Sequence, residues 1–363
     1  MQKQRLEFLE TLMACSSPSG FEEAAQEVIR RRLKGHGDEL RTDVHGNVMA
    51  AVNPKAPLRV MLAGHIDEIG LMVSHIDDNG YLFCRSIGGV DPIVMVSQRV
   101  VVHGLHGPVP GVIGRKAIHL MTDEERKVSP KLEDLFIDIG AKDAKDAKRF
   151  VRVSDPVTVD AGLKPVLNDC VVARGFDDRI GAFIVAEAFL ELAKRRPAVA
   201  VWAVSTAQEE MGLRGARTSA FGIDPHVGIA VDVGHCSDYP SADKRKTGDV
   251  AIGKGPILCR GGNINPVVGQ GLEDVAKAGK IPYQFQAEPA ATGTDANAIQ
   301  INRSGVAAAL ISVPLRYMHT SCEMLSLVDV ENAIRLLVEY SLSLKPTDTF
   351  IPGVSKPAGK SAK

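Results

Sequence analysis

Three features of the sequence predict an α/β protein carrying a smaller β-rich insertion. From Val166 onward, apolar runs of strand length alternate with helical patterns, the arrangement of a mostly parallel sheet. Between about residues 69 and 163 the texture changes to short β-rich pieces punctuated by Gly and Pro. The length of 363 residues also exceeds what one hydrophobic core usually serves. The expected division is a discontinuous larger domain over 1–68 and 164–345, an inserted β-rich domain over 69–163, and a flexible tail over 346–363 that is rich in Pro, Gly, Ser and Lys.

The elements follow in order. Helical spacing of apolar positions over 4–14 and 21–34, broken at Pro18-Ser19-Gly20, predicts two opening helices. Alternation over 42–52 around His45-Gly46-Asn47 predicts a hairpin, and 58–63 a buried strand that ends at Gly64 and His65. In the insertion, strands are expected at 71–76, 81–86, 99–103, 109–113 and 135–139, with Asp78-Asn79-Gly80 as a tight turn. Residues 141–149 read as a solvated helix face. Beyond them, 180–193 reads as a long helix, 198–205, 227–233 and 306–313 as buried strands, and 328–344 as a closing helix.

Composition narrows the function classes. Forty-three basic side chains against forty-four acidic ones create no overall field for nucleic acid or an anionic membrane, so neither partner is expected. The polar start Gln2-Lys3-Gln4-Arg5 lacks the continuous apolar stretch of a signal peptide, which makes a cytoplasmic location the expectation. The six cysteines are scattered without the spacing of a structural zinc site and read as reduced thiols.

Open α/β sheets place ligands at the carboxyl ends of their strands. Five polar groups stand there: His65-Ile66-Asp67, Asp177-Asp178-Arg179, Glu209-Glu210, Asp232 and His319. Each has an ordinary structural explanation alone, but together they offer the imidazole and carboxylate ligands that zinc, cobalt or manganese takes. Asp67 is placed to accept the His65 imidazole proton and set its tautomer. Adjacent Glu209 and Glu210 point differently, so one can bind metal while the other carries protons. His75-Ile76-Asp77 repeats the spacing of His65-Ile66-Asp67 but runs into a turn, and reads as a hairpin end. His235, three residues past Asp232, is a further candidate.

The sequence resembles the M42 family of metallo-aminopeptidases, the tetrahedral and glutamyl aminopeptidase group. The resemblance runs through Ser17-Pro18-Ser19-Gly20-Phe21-Glu22, Gly64-His65-Ile66-Asp67-Glu68-Ile69-Gly70, Phe176-Asp177-Asp178-Arg179-Ile180-Gly181, Gln208-Glu209-Glu210-Met211-Gly212, Val231-Asp232-Val233, Gly293-Thr294-Asp295-Ala296 and Arg316-Tyr317-Met318-His319. It implies a mixed-sheet two-metal exopeptidase domain with an inserted, PDZ-like dimerisation domain. It further implies that His65, Asp177 and Asp232 hold one ion, that Asp177, Glu210 and His319 hold the other with Asp177 bridging, and that Glu209 is the general base. Two divalent ions per chain are implied, zinc or cobalt ahead of manganese. Dimers gathered into a dodecamer and peptides with a free N-terminus as substrates are implied as well. Met211 stands where the family commonly has Val, and Thr320-Ser321 where it often has Ser-Pro; neither change removes a ligand.

Two ions held about 3.5–4 Å apart can share a water, lower its pKa and polarise a scissile carbonyl. Two alternatives stand beside this expectation. A carboxypeptidase-like or deacylating amidase on the same plan would need a cation for a substrate carboxylate, for which Arg316 is the candidate. A non-catalytic protein could keep the ligand shell for folding alone, but such a protein has no use for Glu209.

Overall fold

The computed structural model describes residues 1–353. Its centre is an eight-stranded mixed sheet in the order Glu39–Thr42, Val48–Val52, Ala200–Thr206, Arg59–His65, Val227–His235, Ala307–Leu315, Ile257–Gly261 and Gln284–Glu288. The four middle strands run parallel. Val48–Val52 and Ile257–Gly261 join them antiparallel on either flank. The sheet is thus mixed; the carboxyl ends of its four parallel middle strands carry the candidate residues, and Gln284–Glu288 adds a further parallel pairing to Ile257–Gly261 at the edge.

Both faces of the middle strands are covered, which is why they read as unbroken apolar runs; all of Ala200–Thr206 is buried. Helices Lys3–Ala14, Glu23–Leu33, Phe176–Arg195 and Leu327–Ser343 supply one layer, whose core includes Leu12, Ile29, Phe183 and Leu336. Helices Arg214–Ile223 and Asp295–Gln300 cover the other side around Met49, Met61, Trp202 and Ile299. The long helix approaches the sheet closely: a Cβ on Gly64 would lie 2.3 Å from the carbonyl carbon of Gly181. Any side chain at position 64 would push the start of that helix away from His65.

Six strands, Gly70–Ile76, Leu82–Ile87, Ile137–Asp138, Gly107–Ile113, Arg99–Gly104 and Pro156–Val159, close into a separate barrel. The barrel has its own core, including Leu71, Leu82, Val102, Ile137 and Val157. Closure leaves this small β unit without a free edge. Pro156–Val159, too short and Pro-led to read as a strand in the sequence, pairs on both sides and completes the ring. Asp77 accepts hydrogen bonds from Asn79 N and Tyr81 N, so His75-Ile76-Asp77 is a hairpin end. The helix read over 141–149 is a single turn, Ala144–Ala147, capped by Asp143.

Between 239 and 300 the sequence carries little period, yet it forms strands Ile257–Gly261 and Gln284–Glu288 with helix Pro266–Ala278 between them. The local signal was Asn265-Pro266: the Asn side chain accepts from Val267 N and Val268 N, and proline occupies the first helical position. Phe350 packs against the main core, and Asn265 Nδ2 donates to its carbonyl at 2.9 Å. The tail expected over 346–363 lies outside the described residues from 354 onward. All six cysteines are free thiols, and no described helix is long and apolar enough to cross a membrane.

A buried ion pair ties the chain together beneath the sheet's carboxyl edge. Arg179, fully buried, donates to Glu68 Oε2 at 3.1 Å and to the carbonyls of Gly175, Arg174 and Cys15. Arg174 also contacts Glu68, and Glu68 Oε1 accepts Ser17 N at 3.0 Å. One carboxylate therefore joins the segment after the first helix, the loop after His65 and the start of the long helix. Glu68→Gln leaves two guanidinium groups without their counter-charge, and removing one partner of a buried pair typically costs about 3–5 kcal/mol. Chemical or thermal unfolding of the variant is expected to show a loss of that order.

Candidate metal centre

The strand ends deliver the candidate side chains to one place. His65 is the last residue of its strand, Asp232 lies within Val227–His235, and Glu209-Glu210 follow Ala200–Thr206. His319 follows Ala307–Leu315, while Asp177 and Asp178 open the long helix in non-helical conformation. His65, Asp177, Glu209, Glu210, Asp232 and His319 line a single cavity of about 260 Å³.

Asp177 sits between the two imidazoles. His65 Nε2 is 3.2 Å from its Oδ1, and His319 Nε2 is 3.1 Å from its Oδ2. Glu210 Oε1 lies 3.4 Å from His319 Nε2, and Glu209 Oε2 lies 3.8 Å from His65 Nε2. The other ring nitrogens are engaged elsewhere. His65 Nδ1 faces the Asp67 carbonyl at 3.1 Å, and His319 Nδ1 faces the Gly89 carbonyl at 3.0 Å. Carbonyls accept only, so each Nδ1 carries the proton and each Nε2 is left to face the cavity. The Asp67 carboxylate is the more distant partner of His65, at 3.4 Å.

Three further acids brace the site from behind. Asp67 accepts the backbone N–H of Glu209 at 3.0 Å and of Glu210 at 3.1 Å, which orients both side chains. Asp178 accepts His65 N and Gly181 N, and its carboxylate also lies close to His65 and Asp232. Glu323 accepts Asp177 N at 3.2 Å and His319 N at 2.9 Å. Glu323 was not singled out from the sequence, and Asp295 stood there only within the motif Gly293-Thr294-Asp295-Ala296, without a role. Asp295 is the first residue of a helix capped by Thr294, and Thr206 donates to its Oδ2 at 2.5 Å while its Oδ1 lacks a partner. The signal for Glu323 was only its place four residues after His319.

Electrostatics at the site are strained. Burial first, then repulsion from neighbouring acids, pushes Glu209 up to about 10 against the pull of His65. Burial, with repulsion from Asp177 after His65 is discounted, raises Asp232 well above the usual carboxylate range. Burial opposes charge on His65, but Glu209, Asp177 and Asp67 outweigh it and raise its pKa. His319 rises to about 11 through its bonds to Asp177 and Glu210. No Lys or Arg lines the cavity among the described residues. Protons are the only counter-charge these side chains hold for one another, and oxygen and imidazole donors converging within 4.8 Å fit divalent cations. Among the described residues two such convergent groups exist, His65 with Asp177 and Glu210, and His65 with Asp178 and Asp232.

Arg316 makes a two-point ion pair with Asp238 at 2.8 and 2.6 Å and does not line the cavity, so it holds structure and is not free for a substrate carboxylate. His235 lies on the cavity rim, exposed.

Comparison with known proteins gives concordant results. The model of a family described as M42 glutamyl aminopeptidase matches residues 46–336. A lysyl aminopeptidase of Pyrococcus furiosus is 37% identical over 350 residues, covering 95% of this chain and 99% of its own. The crystal structure of a TET aminopeptidase from a marine sediment archaeon of the Thaumarchaeota superposes with a TM-score of 0.90 at 34% identity, covering 95% of this chain and 98% of that one. A Pyrococcus horikoshii TET1 peptidase, described as able to assemble into a tetrahedron or a large octahedral shell, superposes at 0.84 with 29% identity, covering 94% and 100%. The chain belongs to the M42 family and is a metallo-aminopeptidase.

Proposed function

We propose that this aminopeptidase, whose family works with divalent metal ions, binds two of them per chain and removes the first residue of short peptides with Glu209 as general base. The observation that carries the reading is Asp177, whose two carboxylate oxygens each face a different imidazole, as a bridging ligand requires. His65, Asp177 and Asp232 would hold one ion; Asp177, Glu210 and His319 would hold the other. The donor set suits zinc or cobalt, and manganese less well because imidazole favours the former pair. When bound, such ions supply Lewis acidity, polarising the scissile carbonyl and lowering the pKa of water.

The protein's own part follows from its geometry. Asp67 holds Glu209 and Glu210 through their backbone N–H groups, so two adjacent carboxylates keep separate directions. Glu209, without a backbone donor on its carboxylate among the described residues, is free to take a proton from the attacking water at Oε2. It then returns that proton to the departing amine. The cluster of acids favours a cationic or amine-bearing end of the peptide over a carboxylate.

The insertion's separate core supports a domain division at about residues 69 and 163, and we infer that this unit is a dimerisation domain. The assemblies of the horikoshii peptidase support a larger shell built from such dimers.

Glu209→Gln is expected to retain both ions while losing about 10²–10⁴-fold in kcat; near-normal turnover by a metal-replete variant would overturn the base assignment. His65→Ala and His319→Ala are each expected to lower bound metal below two ions per chain, read by elemental analysis after dialysis, and full occupancy in both would refute the ligand map. Light scattering of the metal-loaded protein is expected to give a mass near that of twelve chains, against which a single chain at micromolar concentration argues.

A further inference from the structure

The cavity has a wall that the proposed chemistry does not use. Edge strand Gln284–Glu288 pairs in parallel with Ile257–Gly261, with Cys259 opposite Gln286 and Gly261 opposite Glu288. Alternation along a strand puts positions 286 and 288 on one face, and both line the cavity. Gln286 is buried, and its Nε2 donates to the Thr247 carbonyl at 3.3 Å. Its Oε1 is thereby turned over Gly234, within 3.4 Å of where a Cβ there would stand. Gly234 also lines the cavity, so any side chain at that position would fill this corner.

Glu288 is half-buried and differs from the other acids of the cavity. Asp177, Glu209 and Glu210 lie beside an imidazole, and Asp232 accepts the N–H of Val233. The Glu288 side chain has no hydrogen bond or ion pair among the described residues, although its charge reaches the buried Cys259 thiol and helps raise it. The wall therefore presents a carboxylate and an amide oxygen, both acceptors. Thr292 offers no free donor, because its hydroxyl is engaged by Asn263 and Asn297 at 2.8 and 3.0 Å. A side chain that brings only donors and a positive charge suits such a wall, whereas a carboxylate would meet repulsion and an alkyl group would leave Glu288 unpaired.

We propose that Glu288 selects peptides whose first residue is basic, by pairing with the side-chain ammonium or guanidinium while the peptide's amino end occupies the proposed metal site. This rests on the aminopeptidase reading of that site. The Gln286 amide oxygen supplies a second acceptor, and the site of bond cleavage stays with the acids that line the same cavity.

The test compares lysyl, leucyl and glutamyl p-nitroanilides on the metal-loaded protein, as wild type, Glu288→Gln and Glu288→Lys. Wild type is expected to prefer the lysyl substrate in kcat/KM. Glu288→Gln is expected to lower the lysyl-to-leucyl ratio by about 10- to 100-fold, the effect of losing one charged hydrogen bond. Glu288→Lys is expected to shift preference toward the glutamyl substrate. Competitive inhibition by free lysine against norleucine, which has the same chain length without the ammonium, is expected to show the same loss of discrimination in Glu288→Gln. A wild type without lysyl preference overturns the proposal, as does an unchanged ratio in the variants. A uniform fall on all three substrates also overturns it, because that pattern belongs to a residue that holds the common α-amino group. Wild-type protein that is metal-replete yet cleaves none of the three overturns the reading of the site itself.

Discussion

The structure depends on crowding several buried acids at the carboxyl ends of the sheet's parallel strands, where the imidazoles of His65 and His319 face them. Such a cluster is costly in the absence of counter-charge, because burial and mutual repulsion both oppose ionisation. The protein divides the acids into two groups. Asp67, Asp178 and Glu323 each accept two backbone N–H bonds and are thereby satisfied. Asp177, Glu209 and Glu210 receive no backbone donor on their carboxylates among the described residues and face the cavity. The first group sets the backbone on which the second is presented. The second is left needing cations, which is the electrostatic condition a metal centre requires.

The bracing also explains how distant chain segments share one site. Asp67 belongs to the loop after the second strand of the parallel set and orients residues 209 and 210, while Glu323 joins the helix start at 177 to the loop at 319. Beneath them Glu68, in the loop after His65, pairs with Arg174 and Arg179, which ties that loop to the segment leading into Asp177. Close packing of Gly64 against Gly181 sets the distance between strand and helix.

The inserted barrel is not remote from this chemistry. The Gly89 carbonyl orients His319, and a Cβ on Gly88 would come within 3.2 Å of Glu210 Oε2. The segment between two barrel strands thus forms part of the cavity's frame. Assembly through the barrel, as proposed, would bear directly on the geometry of the second ion's ligands.

The sequence by itself determined the α/β class, the insertion, and the grouping of His65, Asp177, Glu209, Glu210, Asp232 and His319, because apolar strands covered on both faces are unmistakable and their polar exits are few. Its motifs also pointed to the family. Tertiary structure decided what periodicity cannot encode. The flanking strands Ile257–Gly261 and Gln284–Glu288 have mixed burial, and Pro156–Val159 is a strand only because the barrel closes on it. The second role of Asp67, bracing the backbone of Glu209-Glu210, needs contacts 142 and 143 residues away in the chain. Glu323 is buried where the strand Glu323–Ser326 pairs with Cys170–Ala173, a contact distant in the chain. Arg316 was open to a substrate role until its two-point pairing with Asp238 became visible. Glu288 carries no local signal at all: a half-buried glutamate on an edge strand acquires meaning only when the fold turns it, unpaired, toward the cavity.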